Sequence, residues 1–290
     1  MKKSLVLLYQ QGHQFCINNH LHFSWIRKAN SWLIQFLRSD KAIIEGNTIY
    51  LDKNDSLRLS TRGSYEPFIT KLMKSQIKPG DVVIDVGANI GYYTLLFAKL
   101  VGPQGKVYAF EPHPDNFFLL KKNVDVNKYK NIIIEQKAVS NRAGKIKLFI
   151  DNQEKNTKHS IIQSEQTTKN SVVVESVPLD DYFKKEKVNF VKIDVEGAEY
   201  FVLQGMNRLL RRSNTASIVV EFTPSFLEKT GVTPEEFIDY LKNLGFYLNN
   251  LNERKHRVEP FDSQELHHYI TQRFEGSLNS NILCTRTAPD

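Results

Sequence analysis

The sequence predicts an α/β fold in which a mostly parallel sheet of seven strands carries helices on both faces. Short apolar, β-branched runs alternate along the chain with segments whose apolar residues recur at helical spacing. The clearest unit, residues 82–96, contains a strand that ends at Asp85, a turn with glycines at 87 and 91, and then a helix. Strands separated by helices of this length need right-handed crossovers, so neighbouring strands are expected to be parallel.

Two elements are predicted before this unit. Residues 47–51 and 57–60 resemble short strands and flank a polar turn at 52–55, which predicts an entry hairpin. Residues 64–76 follow a helical pattern, and Pro67 is tolerated because it falls in the first turn.

The same two patterns justify the elements after residue 96. The fourth strand, 189–193, is short and apolar, as expected of a strand buried on both faces. The helix 234–244 begins at a capping box between Thr233 and Glu236 and ends before Gly245. The remaining predicted elements are strands at 106–110, 132–135 with 137–139, 217–222, 246–250 and 280–285, and helices at 115–127 and up to Leu210.

Regularity is lost between residues 144 and 177. Residues 145–150 and 172–177 are β-rich and enclose a polar stretch, which predicts a hairpin inserted before the fourth strand. A long polar insertion can serve as a lid over a site. His159 lies near its tip, where it is either a base close to neutral pH or an exposed histidine without a role.

Composition is that of one large domain with appendages. The chain has 290 residues, of which 41% are hydrophobic and 24% charged, so it is not compositionally disordered. Its two cysteines, Cys16 and Cys284, lie near opposite ends without metal-ligand spacing, so a disulfide framework or zinc site is not expected. The first residues imitate a signal peptide but lack a cleavage site, and no run reaches the roughly 20 apolar residues of a membrane span. A cytoplasmic location is therefore expected.

The first 45 residues are more basic than the rest of the chain. Six basic and two acidic residues give this segment +4 of the total formal charge of +7, which permits an anionic partner. Residues 21–38 predict an amphipathic helix that docks on its own domain, on a second subunit in a homodimer, or on a membrane surface. We therefore divide the chain into an N-terminal helical extension, 1–45, and a main α/β domain, 46–290, with the insertion at about 144–177.

The glycine loop after the first strand indicates a nucleoside ligand. Asn89 stands where a dinucleotide fingerprint needs its second glycine, and its side chain would crowd a diphosphate. Its amide could instead hydrogen-bond the amino-acid group of a ligand without phosphates. Glu111 ends the next strand, 20 residues after Gly91, where a carboxylate can accept hydrogen bonds from ribose hydroxyls. Together these features favour S-adenosylmethionine over NAD, which remains the more distant alternative as cofactor of an oxidoreductase.

Several motifs in order resemble the FkbM family of S-adenosylmethionine-dependent methyltransferases. They are D-V-G-A-N-I-G-Y-Y-T from Asp85, A-F-E-P-H-P-D-N from Ala109, K-I-D-V-E-G-A-E from Lys192, V-P-L-D-D-Y from Val177, and the element Gly63, Tyr65, Glu66, Pro67. The resemblance covers about residues 46 to 250. It implies a class I, Rossmann-like methyltransferase fold and methyl transfer to an oxygen on a sugar, glycan or related hydroxylated small molecule.

The resemblance and the pattern together give a set of candidate site residues. Glu196 is the first candidate for the catalytic base, followed by Asp194 and His159, because a sugar hydroxyl is a poor nucleophile. For Asp194 and Glu196 the alternative is a role at the helix N-terminus, and for Tyr65 and Glu66 it is capping of their helix. The candidate cofactor-binding residues are Tyr65, Glu66, Asp85, Gly87, Ala88, Asn89, Gly91, Thr94, Glu111, Pro112, Ala138, Val139 and Asp194.

Other acceptors and a metal-assisted reaction remain alternatives. Asp194, Glu196 and Glu221 could gather Mg²⁺, although no metal ligand is assigned. Nucleic-acid methylation is also compatible with the net charge, and protein methylation is kept as a further alternative. The fourth strand, however, ends in Asp-Val-Glu-Gly and lacks the Pro-Pro-aromatic turn that often holds an amino group in base methyltransferases, so a nucleic-acid acceptor is disfavoured.

Overall fold

A computed structural model describes residues 36–150, 171–253, 255–261 and 280–287, together with the backbone of residues 159–160. The strands are β1 Lys41–Ile44, β2 Asn47–Tyr50, β3 Val82–Val86, β4 Lys106–Phe110, β5 Ile132–Glu135, β6 Ala138–Val139, β7 Gly144–Ile150, β8 His159–Ser160, β9 Ser171–Val177, β10 Phe190–Ile193, β11 Ser217–Phe222, β12 Tyr247–Asn252, β13 Arg257–Pro260 and β14 Ser280–Thr285. The helices are α1 Leu59–Arg62, α2 Pro67–Gln76, α3 Tyr92–Val101, α4 Pro114–Asn127, α5 Leu179–Tyr182, α6 Glu199–Gln204, α7 Asn207–Arg212, α8 Pro224–Lys229 and α9 Pro234–Asn243.

The central sheet has the order β13-β12-β14-β11-β10-β3-β4-β5. Its five strands from β11 to β5 are parallel, whereas β14 runs antiparallel to both β11 and β12. This mostly parallel α/β sheet confirms the predicted fold class. It has an eighth strand, β13, between the two last predicted strands in sequence, where no element is predicted. As an edge strand with mainly exposed residues, β13 lacks the apolar pattern of a buried strand.

Helices cover both faces of the sheet, and the two faces have separate hydrophobic cores. Because alternate strand residues point to opposite faces, Ile84 packs in one core cluster while the adjacent Val83 packs in the other. Similarly, Ile218 and Val219 of β11 lie on opposite sides. The continuous apolar runs read from the sequence are therefore explained by burial on both faces.

The predicted entry hairpin is wrong in its second strand. Residues 57–60 do not form a strand; their last two residues begin α1, because Asp55 accepts hydrogen bonds from the Leu59 and Ser60 backbone amides at 2.8 and 3.1 Å. The partner of β2 is instead β1, which lies before residue 45. Glu45 and Gly46 join them with positive φ angles of 54° and 85°, as a tight hairpin requires. The division at residue 45 thus passes through this hairpin.

The insertion forms a second, smaller sheet. Strands β7 and β9 pair antiparallel from Gly144–Ser176 to Phe149–Ser171, which agrees with the predicted hairpin. The third strand of the central sheet is shorter than predicted, because the chain leaves that sheet after Glu135 and β6 pairs with β9 instead. His159 begins β8, and its backbone pairs with that of Ile150 in β7. The side chain of His159 is not among the described parts of the chain.

The predicted helix at 21–38 lies almost entirely outside the described residues. Of its apolar stripe, Leu37 is buried and Phe36 is exposed. Within the part of the chain that the structure describes, no helix is long and apolar enough to cross a bilayer.

Candidate active site

A cavity of about 330 Å³ opens at the carboxyl ends of β3, β4, β10 and β11. This is the edge at which ligands bind in open α/β sheets. Of the residues predicted for the site, the structure brings together Tyr65, Glu66, Asp85, Gly87, Ala88, Asn89, Glu111, Pro112, Ala138, Val139, Asp194 and Glu196.

The glycine loop and Glu111 form one hydrogen-bonded unit. The Glu111 carboxylate accepts hydrogen bonds from the Asn89 and His113 backbone amides, each at 2.8 Å. Asn89 has a left-handed backbone with φ of 50°, which turns this amide toward Glu111. Burial raises the pKa of Glu111 to about 7, although both amides lower it. The loop therefore holds a carboxylate at the end of β4, where the sequence predicts a contact with ribose.

Asp85 is buried at the end of β3 and lines the cavity. Its Oδ2 accepts a 2.6 Å hydrogen bond from the Thr94 hydroxyl, while its Oδ1 is buried without a hydrogen-bond partner among the described residues. Thr94 and Gly91 are not in the cavity wall. Thr94 holds Asp85, and Gly91, with φ of 93°, begins α3 and packs against Leu120. An orphaned acidic oxygen at this place suits a ligand that carries positive charge.

Lys192 is a site residue that sequence reasoning missed. It is 2% exposed and lies opposite Asp85 in the β10–β3 pair. Its ammonium donates to Asp194 Oδ2 at 2.8 Å and lies 4.7 Å from the centre of the Tyr93 ring. Burial alone would lower the pKa of Lys192, but Asp194, Glu66 and Asp85 raise it above its ordinary value. Lys192 therefore remains charged among three carboxylates.

Glu66 and Tyr65 enter the cavity from the start of α2. Glu66 has a left-handed backbone, φ of 42°, and makes no side-chain capping bond to the helix. Its carboxylate instead accepts a 2.6 Å hydrogen bond from the Tyr93 hydroxyl, and burial raises its pKa to about 7. The pKa of Tyr65 is raised by burial and by the nearby carboxylates of Glu66, Asp194 and Glu221. Tyr65 lines the same cavity, where its ring contacts Tyr92 and Tyr93 edge-on.

The loop after β10 is shaped by Glu199. Its carboxylate accepts hydrogen bonds of 3.1 Å from the backbone amides of Val195 and Gly197, and burial raises its pKa to about 7. Glu196 lies between these two amides with φ of 56° and lines the cavity. Residues held in this uncommon backbone region cluster at functional sites. The structure therefore separates Glu196, which faces the ligand space, from Glu199, which holds the loop.

The end of the cavity near Glu111 is apolar. Pro112, Ala138, Val139 and Leu148 line it, and Leu148 is 3% exposed on β7 of the inserted sheet. Sequence reasoning missed Leu148 because nothing local shows that the insertion folds back onto the site.

We expect Leu148→Ala to weaken binding of S-adenosylhomocysteine by roughly tenfold and Leu148→Asp to weaken it more, because the apolar wall would lose a side chain or gain a charge. Isothermal titration calorimetry measures the effect, and Leu148→Met is the volume-conserving control. Unchanged affinity in Leu148→Asp would separate the inserted sheet from the cofactor site.

The acidic residues of the cavity do not form a metal site in the described chain. Among the described residues, no three Asp, Glu, His or Cys side chains are arranged to hold a metal ion.

The residues present fit S-adenosylmethionine. Its ribose hydroxyls match Glu111, its adenine matches the apolar end, and its positive groups match the orphaned Asp85 oxygen. Lys192 is the one basic residue of the described wall, and its ammonium is paired with Asp194 rather than placed to bind a diphosphate. Fold and cavity together thus define a Rossmann-like α/β protein whose cavity fits a nucleoside cofactor.

Comparison with known proteins identifies the family. The profile of the methyltransferase FkbM domain family matches residues 85–248, more than half of the chain. The chain belongs to this family. The match confirms the resemblance predicted from the sequence motifs.

Individual relatives match the chain at low identity or over a short segment. Hexuronic acid methyltransferase AglP of Haloferax volcanii is 29% identical over 174 residues, 59% of this chain and 65% of that protein. Methyltransferase 1 of Beauveria bassiana is 29% identical over 164 residues, 49% of this chain and 65% of that protein. The 31-O-demethyl-FK506 methyltransferase FkbM of Streptomyces tacrolimicus is 46% identical over 69 residues, 24% of this chain and 26% of that protein. The chain thus spans 65% or less of the length of these three relatives.

Proposed function

We propose that the chain transfers a methyl group from S-adenosylmethionine to a hydroxyl of a sugar, glycan or related small molecule. The observation that carries the proposal is a single cavity whose wall holds both Glu111, which is bonded to the Asn89 amide of the glycine loop, and Glu196, which follows β10. The names of AglP and FkbM, which describe methylation of a hexuronic acid and of an FK506 precursor, support a hydroxylated acceptor.

Bound S-adenosylmethionine supplies an electrophilic methyl group, whose S–C bond breaks as the acceptor O–C bond forms. This chain positions the acceptor hydroxyl in line, which provides much of the rate enhancement for a displacement. Glu196 accepts the hydroxyl proton, since the loop held by Glu199 fixes it in the cavity. Lys192 holds Asp194 by a 2.8 Å ion pair, so we assign Asp194 a positioning role and Glu196 the role of base.

We expect Glu196→Gln to lower turnover by about 100-fold or more, the usual contribution of a general base. Binding of S-adenosylhomocysteine should change little, because the substitution keeps the side chain's size and removes only its charge. Turnover is measured as transfer of labelled methyl to candidate glycans, and binding by calorimetry. Glu228→Gln on the exposed part of α8 is the matched control.

Weaker cofactor affinity, with normal turnover once the cofactor is saturating, would reassign Glu196 to the cofactor site. Activity that depends on added Mg²⁺ and is lost on chelation would favour the metal-assisted alternative. Methylation of RNA or protein in the same assay, with none of glycans, would contradict the acceptor class.

Three further predictions stay open. They are a role of His159 as base, a membrane or subunit contact through residues 21–38, and a cytoplasmic location. The first two depend on parts of the chain outside the described residues, and the third depends on cellular context. Truncation of residues 1–35, followed by vesicle sedimentation and light scattering, tests the two contacts.

A further inference from the structure

The wall of the cavity is strongly asymmetric in charge. Among the described residues that line it, one side chain, Lys192, carries an ammonium group, whereas seven carry carboxylates: Glu66, Asp85, Glu111, Asp194, Glu196, Glu221 and Glu253. Part of this negative charge has an evident function. Asp194 is paired with Lys192, Glu66 and Asp85 also raise the pKa of Lys192, and Glu111 is held by two backbone amides.

Two of the remaining carboxylates lie at the end of the sheet away from the glycine loop. Glu221 lies in β11 and is opposite Asn281 in the antiparallel β11–β14 pair. Directly opposed residues point to the same face of a sheet. On that face, both Glu221 and Asn281 line the cavity. Glu253 follows β12, whose Leu251 is the other neighbour of Asn281. Glu221, Asn281 and Glu253, together with Ser280, define what we call the acceptor edge.

The acceptor edge also has an aromatic side chain beside its carboxylates. Tyr65 lines the same cavity, and its pKa is raised by burial and by the Glu66, Asp194 and Glu221 carboxylates. Aromatic rings next to carboxylates are a usual way in which proteins bind ammonium groups. Burial raises the pKa of Glu253, while His256, whose ring stacks on Phe68 with the ring centres 6.1 Å apart, lowers it.

We propose that the acceptor edge selects a hydroxylated molecule that carries a protonated amine, such as an amino sugar, over one that carries a carboxylate or phosphate. An anionic acceptor would place a further negative charge beside Glu196, Glu221 and Glu253 in a partly enclosed cavity, where like charges repel more strongly than in water. An amine can donate to Glu221 or Glu253 and to the Asn281 amide oxygen, which leaves Glu196 for the hydroxyl proton. This inference rests on the proposed function and narrows its substrate class. The proposed acceptor carries an amine, whereas the name of AglP gives that protein's acceptor as a hexuronic acid, which carries a carboxylate.

The test compares three acceptor probes of nearly equal size: D-glucosamine, D-glucose and D-glucuronate. Each is titrated at pH 7 into the full-length protein saturated with S-adenosylhomocysteine. We expect glucosamine to bind about tenfold or more tightly than glucuronate, with glucose between them. Glu253→Lys should reverse the order of glucosamine and glucuronate, and Glu221→Gln should weaken glucosamine without affecting glucose. Glu228→Gln removes a charge outside the cavity and should change none of the three.

Equal or tighter binding of glucuronate by the unsubstituted protein would overturn the inference, as would binding of none of the probes by protein that takes up S-adenosylhomocysteine. Both results would leave the proposed methyltransferase function intact. Failure to take up S-adenosylhomocysteine would instead count against the proposed function itself, and the inference would fall with it. If Glu253→Lys still bound glucosamine more tightly than glucuronate, the acceptor edge would not be the cause of this preference.

Discussion

Replacing Lys192 with methionine is expected to lower the free energy of unfolding by about 3–5 kcal/mol at pH 8, the usual cost of removing one partner of a buried ion pair. Methionine has nearly the same length, so the packing is largely kept while the charge is lost. The 2.8 Å pair with Asp194 would be broken, and Glu66 and Asp85 would lose the ammonium that faces them. Urea unfolding of the purified protein measures the loss.

The loss is expected to be smaller at lower pH. Burial raises the pKa of Glu66 to about 7 and raises the pKa of Asp85 above its ordinary value, so the folded state binds protons more tightly than the unfolded chain. Without the ammonium these pKa values rise further, and at pH 5 protonation neutralises carboxylates that Lys192→Met leaves unpaired. We expect the difference from wild type to be about half as large at pH 5 as at pH 8.

Lys192 itself does not cause this trend. Its pKa in the folded protein lies above the ordinary value, so its stabilisation is present at both pH values and is lost only as the pH rises through that raised pKa. Lys192→Arg should recover part of the stability because it restores the charge. Lys106→Met, at an exposed position of β4, should change stability by less than about 0.5 kcal/mol. An equal loss at pH 5 and pH 8 would mean that Lys192 acts through packing alone.

The sequence could predict those parts of the site in which residues close in sequence are also close in space. Gly87, Asn89 and Glu111 belong to two consecutive strand-and-turn units, so the spacing of one motif determines their approach. Burial on both faces made the strands around them recognisable. Lys192 had a visible signal as well, since a lysine in a short strand that is otherwise apolar must be buried with a counter-charge.

Other parts of the site depend on contacts that no local pattern reports. Leu148 reaches the cavity because β6 leaves the central sheet to pair with β9, and this choice involves residues almost 40 positions apart. The helix α1 forms where a strand is predicted, because the side chain of Asp55 accepts two backbone amides. Side-chain hydrogen bonds of this kind compete with strand pairing and are not visible in an apolar pattern.

Gly87→Ala adds only one methyl group, yet we expect it to be among the most damaging substitutions in the cofactor site. Gly87 has φ of 82°, and a Cβ atom added there would lie 1.8 Å from the backbone carbonyl oxygen of Asp194. Because that oxygen belongs to the loop after β10, relief of the clash would move Asp194 and Glu196 relative to the glycine loop. We expect a loss of several kcal/mol in stability, beyond the roughly 1–2 kcal/mol of a left-handed alanine, together with loss of measurable S-adenosylhomocysteine binding.

Gly231 offers a control with the same backbone conformation. Its φ is also 82°, but an added Cβ atom would meet no atom within 4 Å. Gly231→Ala therefore incurs the conformational cost alone, about 1–2 kcal/mol, and should retain full affinity for S-adenosylhomocysteine. The difference between the two variants in urea unfolding isolates the effect of the contact between the two loops. If both lost the same stability and both bound the ligand normally, the close approach of Gly87 to Asp194 would have no part in forming the site.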